Sequence, residues 1–531
     1  MKASTISHQA TQSFSKLVTG YLSDVKDLAP FYRFRPDPEG LDQAIEERKR
    51  IPVNRPVLVE VLKEQYRDYE LSPAFQRQIE SLLSESTFTV CTAHQPDLMT
   101  GYLYFFYKII HAAKLADYLK ERHPENNFVP VFYIGSEDND FDELSVFHYE
   151  GKAWRWQTGQ TGAVGRMNTD DLKPLVKTLT ASLIPPGENR DHLIKIISEA
   201  YDGRKTIAQA IRHIVHAFLG KFGVVVLDAD DERLKRCYLP VMADEIRHSK
   251  AETLVKATSA QLNEHYPTQA FARPVNLFYL KDNIRERIER EDNGWKVLRT
   301  DISWPDSQAI LAELEAHPER FSPNVILRGP YQESILPDVA FIGGGSEVAY
   351  WLQLKEVYDH YGIFFPAVIL RQSALWMSKN AVDLQHKLKL SDEELFLPLN
   401  QLEKNQVLSV SEKELDLYQE SGQLAEILER IKCKAGNIDP TLISAAEAVK
   451  AKINHLTGRL EKKMLRAEKR HYDDRMRQIS RLKSLLFPNN HLQERHDCFL
   501  ELYLQYGEQF TQIQYEYTLP FGNCFLLVKE S

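Results

Sequence analysis

Two rhythms of apolar and polar residues divide the chain near residue 380. Before it, short continuous apolar runs alternate with stretches of helical spacing; beyond it, apolar residues recur in steps of three and four. Residues 86–96 (STFTVCTAHQP) are rich in β-formers and end in a turn signal. Residues 102–122 (YLYFFYKIIHAAKLADYLKER) predict a long apolar helix, and 126–144 (NNFVPVFYIGSEDNDFDEL) a buried strand running into an acidic loop. Strand, turn, helix and strand in about 50 residues make a βαβ unit, the building block of a parallel sheet. The first 85 residues read as helices, with a Ser-Pro start at 72–73.

The pattern returns. Residues 221–236 predict a strand with an acidic end and then a helix, and 273–280 (RPVNLFYL) another strand. Residues 324–363 read as strand, loop, strand, glycine turn and helix, and 364–373 as a further strand. The expected fold class is α/β, with a doubly wound parallel core in residues 1–380. Weaker patterns at about 150–215 and 281–323 read as insertions.

Residues 381–490 predict a helical coiled-coil domain. Ala446, Val449, Ile453, Leu456 and Leu460, then Met464 and Ala467, then Met476, Ile479, Leu482 and Leu486 form a heptad-like seam with a stutter. A helix over 450–483 is roughly 50 Å long at 1.5 Å per residue. It is expected to project and to pair, with the helix near 375–430 or with a second chain. Residues 491–531, a helix and a closing strand, are expected to pack back on the core.

Composition narrows the function. The chain has 531 residues, 43% hydrophobic and 27% charged, with a net charge of −9. That is globular composition, and its acidic balance argues against gripping nucleic acid by its phosphates. Cysteines at 91, 237, 433, 498 and 524 form no C-x-x-C pair, which fits a reducing compartment. With no 18-residue apolar run and no signal-peptide pattern, a cytoplasmic location without a membrane span is expected.

Ligands of open parallel sheets sit at the carboxyl ends of the strands, and four polar clusters fall there. The first is Thr92, His94 and Gln95, with Thr100 and Gly101 before the long helix, where backbone N–H groups can hold an anion and His94 can move a proton. The second is Ser136, Glu137, Asp138, Asn139 and Asp140, suited to an amine or a metal. The third is Asp228, Asp230 and Asp231, one of them a helix cap. The fourth is Gly343, Gly344 and Gly345 with Glu347 and Tyr350, where glycines let a ligand approach the backbone. The run is neither G-x-G-x-x-G nor a P-loop, so it names no nucleotide.

Together, TAHQPDLMTGYLYFFYKI (92–109), PVFYIGSEDNDFDEL (130–144), LDADDERLK (227–235), residues 321–358 and FPNNHLQER (487–495) make the chain resemble the bacterial cysteine-adding ligases of bacillithiol biosynthesis. The resemblance implies a Rossmann-like core with connecting-peptide insertions and a coiled coil that makes a homodimer. It implies joining the carboxyl of L-cysteine to the amine of glucosaminyl-malate. Members commonly carry His where this chain has Asn139, and two Gln where it has His94-Gln95. If that His is the base, the base has moved here, with His94 the candidate.

Within this resemblance His94, Asp138, Asn139 and Asp140 are the catalytic candidates. Asp138 or Asp140 would orient or deprotonate the amine, Arg328 or Arg371 would neutralise the malate, and the glycine run with the 92–101 turn would hold phosphate or carboxylate. The activator is left open between ATP with magnesium and another donor, and no metal ligand set is assigned. Alternatives are a nucleotidyl- or glycosyl-type transferase on the same core, and a non-catalytic coiled-coil scaffold.

Overall fold

The computed structural model describes residues 1–292, 294–413 and 415–531. They form two units, residues 1–376 with 492–528, and 377–491 with 529–531.

The first unit is built on five parallel strands, β1 (Thr87–His94), β2 (Asn127–Ile134), β3 (Val225–Asp228), β4 (Asp338–Gly343) and β5 (Ala367–Leu370). Their spatial order is β5-β4-β1-β2-β3. The strands read as apolar runs because both faces are covered; β1 and β2 are buried along almost their whole length. The chain fills one side of β1 with β2 and β3, then crosses to the other side with β4 and β5. The direction of winding therefore reverses between β1 and β4, and there the carboxyl ends of neighbouring strands leave a crevice. Register carries His94 level with Ile134 and Ile134 level with Asp228, while Thr92 pairs with Ile342. This is the expected doubly wound core.

Helix α1 (Tyr104–Arg122) links β1 to β2 and is apolar nearly all round. The sheet covers one face, and rings from the returning C-terminal segment cover another; the Phe106 ring lies 4.7 Å from Phe499 and 5.9 Å from Phe510. Burying each such Phe contributes roughly 1.5–3 kcal/mol. Helix α2 (Glu232–His248) follows β3, α3 (Arg328–Ile335) precedes β4, and α4 (Gly345–Trp351) follows it.

Several elements differ from the sequence reading. Leu277–Lys281 is not a core strand; it joins an antiparallel sheet with Ile284–Glu291, Gly294–Val297, Ser303–Trp304 and Phe321–Pro323. The alternating IRERIERE segment exposes one face of that sheet, which an isolated apolar run at 273–280 does not disclose. The strand expected at 324–327 is absent, and α3 begins at Arg328, with Pro330 in its first turn where its missing N–H costs nothing. Residues 150–215 hold two α-helices, Lys173–Ser182 and Glu188–Ala200, and the start of a third, Ile207–Leu219, which is deeply buried. Lys2–Ser7 is a strand rather than a helix.

In the second unit, α5 (Tyr418–Ile438) and α6 (Leu442–Lys469) pair along their length, joined by Lys432–Glu447 at 2.7 Å and Lys450–Glu429 at 3.1 Å. The long helix is broken: Arg470–Tyr472 is a tight turn before α7 (Asp473–Leu486). The stutter marks this place. Met476, Ile479, Leu482 and Leu486 are buried beyond it, whereas Val449, Leu456 and Leu460 before it are half exposed. No helix among the described residues is long and apolar enough to cross a membrane.

Candidate active site

The crevice between the ends of β1 and β4 is a cavity of about 440 Å³. It gathers His94 and Gln95 from β1, Tyr104 and Lys108 from α1, Asp138 and Glu143 from beyond β2, and Arg328 from α3. Gly344, Ser346, Glu347 and Tyr350 come from the glycine turn and α4, Arg371 from the end of β5, and Arg495 from the C-terminal segment. An open groove of about 570 Å³ lies in the second unit, lined by Lys404, Lys462, Arg466 and Lys469 among others. It brings no acid, base and cation together at strand ends, so the smaller cavity is the candidate site.

Two ion pairs set its charge pattern. Lys108, buried in an otherwise apolar stretch, donates from Nζ to the Ala93 carbonyl at 2.5 Å and to Glu347 Oε2 at 2.6 Å. Burial pulls the Lys108 ammonium below its usual value, and Glu347 opposes that. Asp138 Oδ2 accepts from Arg328 Nη1 at 3.0 Å, and its Oδ1 lies 3.7 Å from Arg285. Burial works against the Arg328 charge, but Asp138 beside it holds the guanidinium above its ordinary range.

His94 stacks on Tyr104, with ring centroids 5.3 Å apart and planes 15° apart. Burial, and then the nearby cations Lys108, Arg328 and Arg371, push its imidazole well below its usual value, so it is neutral at physiological pH. Its Nε2 lies 3.9 Å from Asp97 Oδ2. Burial raises that carboxyl well above its usual range, and Glu143 adds to the rise. Burial, with Glu347 next, pushes the Tyr350 phenol up to about 12.

Other sequence candidates lie elsewhere or are already engaged. Thr92 Oγ1 donates to the Ile342 carbonyl at 2.8 Å and ties β1 to β4. Thr100 is buried with a positive φ, and Gly101 has φ +65°; a Cβ there would meet Asp97 Oδ2 at 2.5 Å. Two amides of this turn are taken, Met99 N–H by the Tyr201 hydroxyl and Leu103 N–H by the Asp497 carbonyl, so these two are not open to an anion. Gly344 N–H is likewise held by Glu347 Oε2 at 2.7 Å, a capping contact that fills the glycine turn from within. Gly343 is buried at the end of β4, and Gly345 lies against Phe14 and Val18.

Asn139 faces away from the cavity and grips Arg285, accepting from Nη1 at 2.9 Å and donating to its carbonyl at 3.1 Å. Asp140 caps the short helix Phe141–Leu144. Ser136 Oγ donates to Asp228 Oδ1 at 2.5 Å, and Lys235 bridges Glu137 and Asp230, which Arg166 also holds. The third cluster is thus a neutralised buried network behind the cavity, and Asp231 caps α2. Among the described residues no group of three or more His, Cys, Asp or Glu side chains is placed to hold a metal ion.

The sequence reading missed Tyr104, Lys108, Glu143 and Arg495. Lys108 had a signal, a lone charge inside YLYFFYKII; Arg495 had only its place in FPNNHLQER.

Residues 1–372 match the family described as Bacillithiol biosynthesis BshC, N-terminal Rossmann-like domain, and residues 374–530 match its C-terminal coiled-coil domain. A protein of Christiangramia forsetii named "Putative cysteine ligase BshC" is 38% identical over 536 residues, covering 99% of each chain. Proteins with the same name from Cytophaga hutchinsonii and Flavobacterium psychrophilum are 39% and 36% identical, covering 92% and 100% of each chain.

Proposed function

The chain belongs to the BshC family of bacillithiol biosynthesis, and from that premise we propose that it is a ligase joining the carboxyl of L-cysteine to the amine of glucosaminyl-malate. The observation that carries the reading is the switch-point cavity, where Lys108, Arg328, Arg371 and Arg495 converge with His94 and Asp138. Four cations suit a substrate rich in carboxylates, and a neutral imidazole suits an amine that must lose a proton before it attacks.

The roles divide by what each group already touches. Asp138 is held by Arg328 at 3.0 Å, which presents it as an acceptor that orients the ammonium. His94, kept neutral by burial and then by the nearby cations, takes the proton. Arg328 and Arg371 neutralise carboxylate. Forming an amide from a free carboxylate in water is uphill, so the cysteine carboxyl needs activation, with ATP and magnesium the first activator to test. Glu347 already occupies the glycine-turn amide, so an activated group binds through the cationic side chains.

The reading includes a homodimer through the helical unit and a cytoplasmic location. Ile431 and Ile438 on α5 and Val449, Leu456 and Leu460 on α6 are left exposed, Leu456 53% and Leu460 52%.

Thermal shift tests the binding reading. Glucosaminyl-malate at about 100 times its Kd is expected to stabilise the protein by about 2.7 kcal/mol, and Arg328→Ala to abolish the shift. An equal shift in the variant would remove Arg328 from the site.

A further inference from the structure

The FPNNHLQER segment returns to the first unit with residues 492–495, and its Arg495 lines the cavity. Glu494 is the more deeply placed of the two, its side chain 1% exposed. Its Oε1 accepts from Arg371 Nη2 at 2.7 Å and its Oε2 from Arg371 Nη1 at 3.0 Å. The same carboxylate accepts from Ser373 Oγ and from the Ala374 N–H, each at 3.1 Å. All its acceptor capacity is thus directed at holding one stretch of backbone and one guanidinium.

The geometry leaves part of Arg371 free for other work. A guanidinium presents two double-donor edges, one across Nη1 and Nη2 and one across Nε and Nη2. Glu494 takes the first, and Nη1 also donates to the Gln372 carbonyl at 3.2 Å and to Ser373 Oγ at 3.1 Å. The second edge runs beside the glycine turn, where a Cβ on Gly344 would sit 3.7 Å from Arg371 Nε. Tyr104 fixes the plane of the group, its ring centroid 5.0 Å from Arg371 Cζ and 5.7 Å from Arg495 Cζ. Arg371 and Arg495 both line the cavity.

We propose that Glu494 is a positioning residue for the ligase: it clamps the outer edge of Arg371 so that the Nε–Nη2 edge, with Arg495 beside it, faces the cavity as a preset fork for a planar pair of anionic oxygens. This rests on the ligase reading given above. The chemistry fits a substrate carboxylate or a phosphate of a nucleotide alike. A side chain of this length held by nothing would swing among many rotamers; the clamp meets that entropic cost during folding rather than during binding. The site on the Rossmann-like core is then incomplete until the chain has passed through the helical unit and returned.

The experiment is titration calorimetry on full-length wild type, Glu494→Gln and Glu494→Asp, with glucosaminyl-malate in one arm and ATP with magnesium in the other, each protein's Tm being recorded. The Gln variant is expected to weaken binding tenfold or more in one arm, and that arm identifies the anion. The Asp variant, which keeps the charge on a shorter stem, is expected to recover part of the loss. The folded variants are expected to keep KM for cysteine. Unchanged affinity in both arms for folded Gln and Asp variants, or a lower Tm with unchanged affinity, would overturn the proposal and leave the ligase reading intact. Wild type that binds neither ligand would overturn the ligase reading and this proposal with it.

Discussion

Lys108 Nζ and Glu347 Oε2 lie 2.6 Å apart, joining the helix after β1 to the helix after β4 across the point where the sheet changes its winding direction. The pair closes one wall of the cavity and ties together two motifs separated by 238 residues of chain that sequence spacing alone cannot relate. The lysine is 3% exposed and the glutamate 22%. Removing one partner from such a pair costs more than removing both, because the other charge stays desolvated.

Lys108→Met is therefore expected to lower stability by about 3 kcal/mol in urea unfolding, at the low end for a buried pair because Glu347 is partly exposed. Adding Glu347→Gln is expected to return much of that stability while activity stays low. Additive losses in the double variant would show that the two residues do not act as a pair.

His94→Gln keeps a polar side chain beside Tyr104 and removes the proton acceptor. Turnover is expected to fall about 100-fold or more, with Tm within a few degrees of wild type. Since burial and the surrounding cations hold the imidazole neutral, the acid limb of kcat/KM for wild type is expected below the ordinary histidine value of about 6.5. A limb at or above that value would assign proton transfer to another group.

Asp138→Asn should cut turnover at least tenfold while costing about 1 kcal/mol or less, since the pair with Arg328 is partly solvated. A large stability loss without a kinetic defect, read by chemical unfolding and steady-state rates, would make Asp138 a structural residue only.

A pH effect is expected far from the cavity, at the amino end of β4. Burial pushes the Asp338 carboxyl up to about 6 against the pull of its hydrogen bond from Thr89. Its neighbour Glu333 is raised well above its usual value by burial and then by the Asp338 charge. The folded state then binds a proton that the unfolded chain releases near pH 4. This contribution is full below about pH 4 and is lost as pH rises through about 6. Asp338→Asn should accordingly gain stability relative to wild type from pH 4 to 7, by on the order of 3 kcal/mol. A difference that is flat with pH would refute the assignment.

If the homodimer proposed above forms through the exposed apolar residues of the helical unit, charged residues there should separate the copies. Leu456→Glu with Leu460→Glu is expected to give a monomer by light scattering with its helix content retained. A dimer that persists would place the interface elsewhere.

Much of the core was legible because its strands carry local signals: continuous apolar runs that end in polar turns. The polar clusters at those ends were legible for the same reason, but their grouping was not. Clusters one and four meet across β1 and β4 because the winding reverses there. Cluster three stays behind, since β3 is at the far edge and Lys235 and Arg166 neutralise its acids. Asn139 and Asp140 follow Asp138 in sequence, yet the chain turns after β2 and only Asp138 points into the cavity. Arg495 and Glu494 reach the site from more than 100 residues beyond the last core strand, a placement no local pattern encodes. The misplaced strand at 277–281 shows the same limit, because an apolar run does not say which sheet it joins.

The most direct test is mass spectrometry of the purified protein incubated with L-cysteine and glucosaminyl-malate, with and without ATP and magnesium. A product at the mass of the two substrates joined with loss of water is expected, absent without protein and strongly reduced in the His94 and Asp138 variants. Folded wild-type protein that binds both substrates and forms no such product under either condition would contradict the ligase reading.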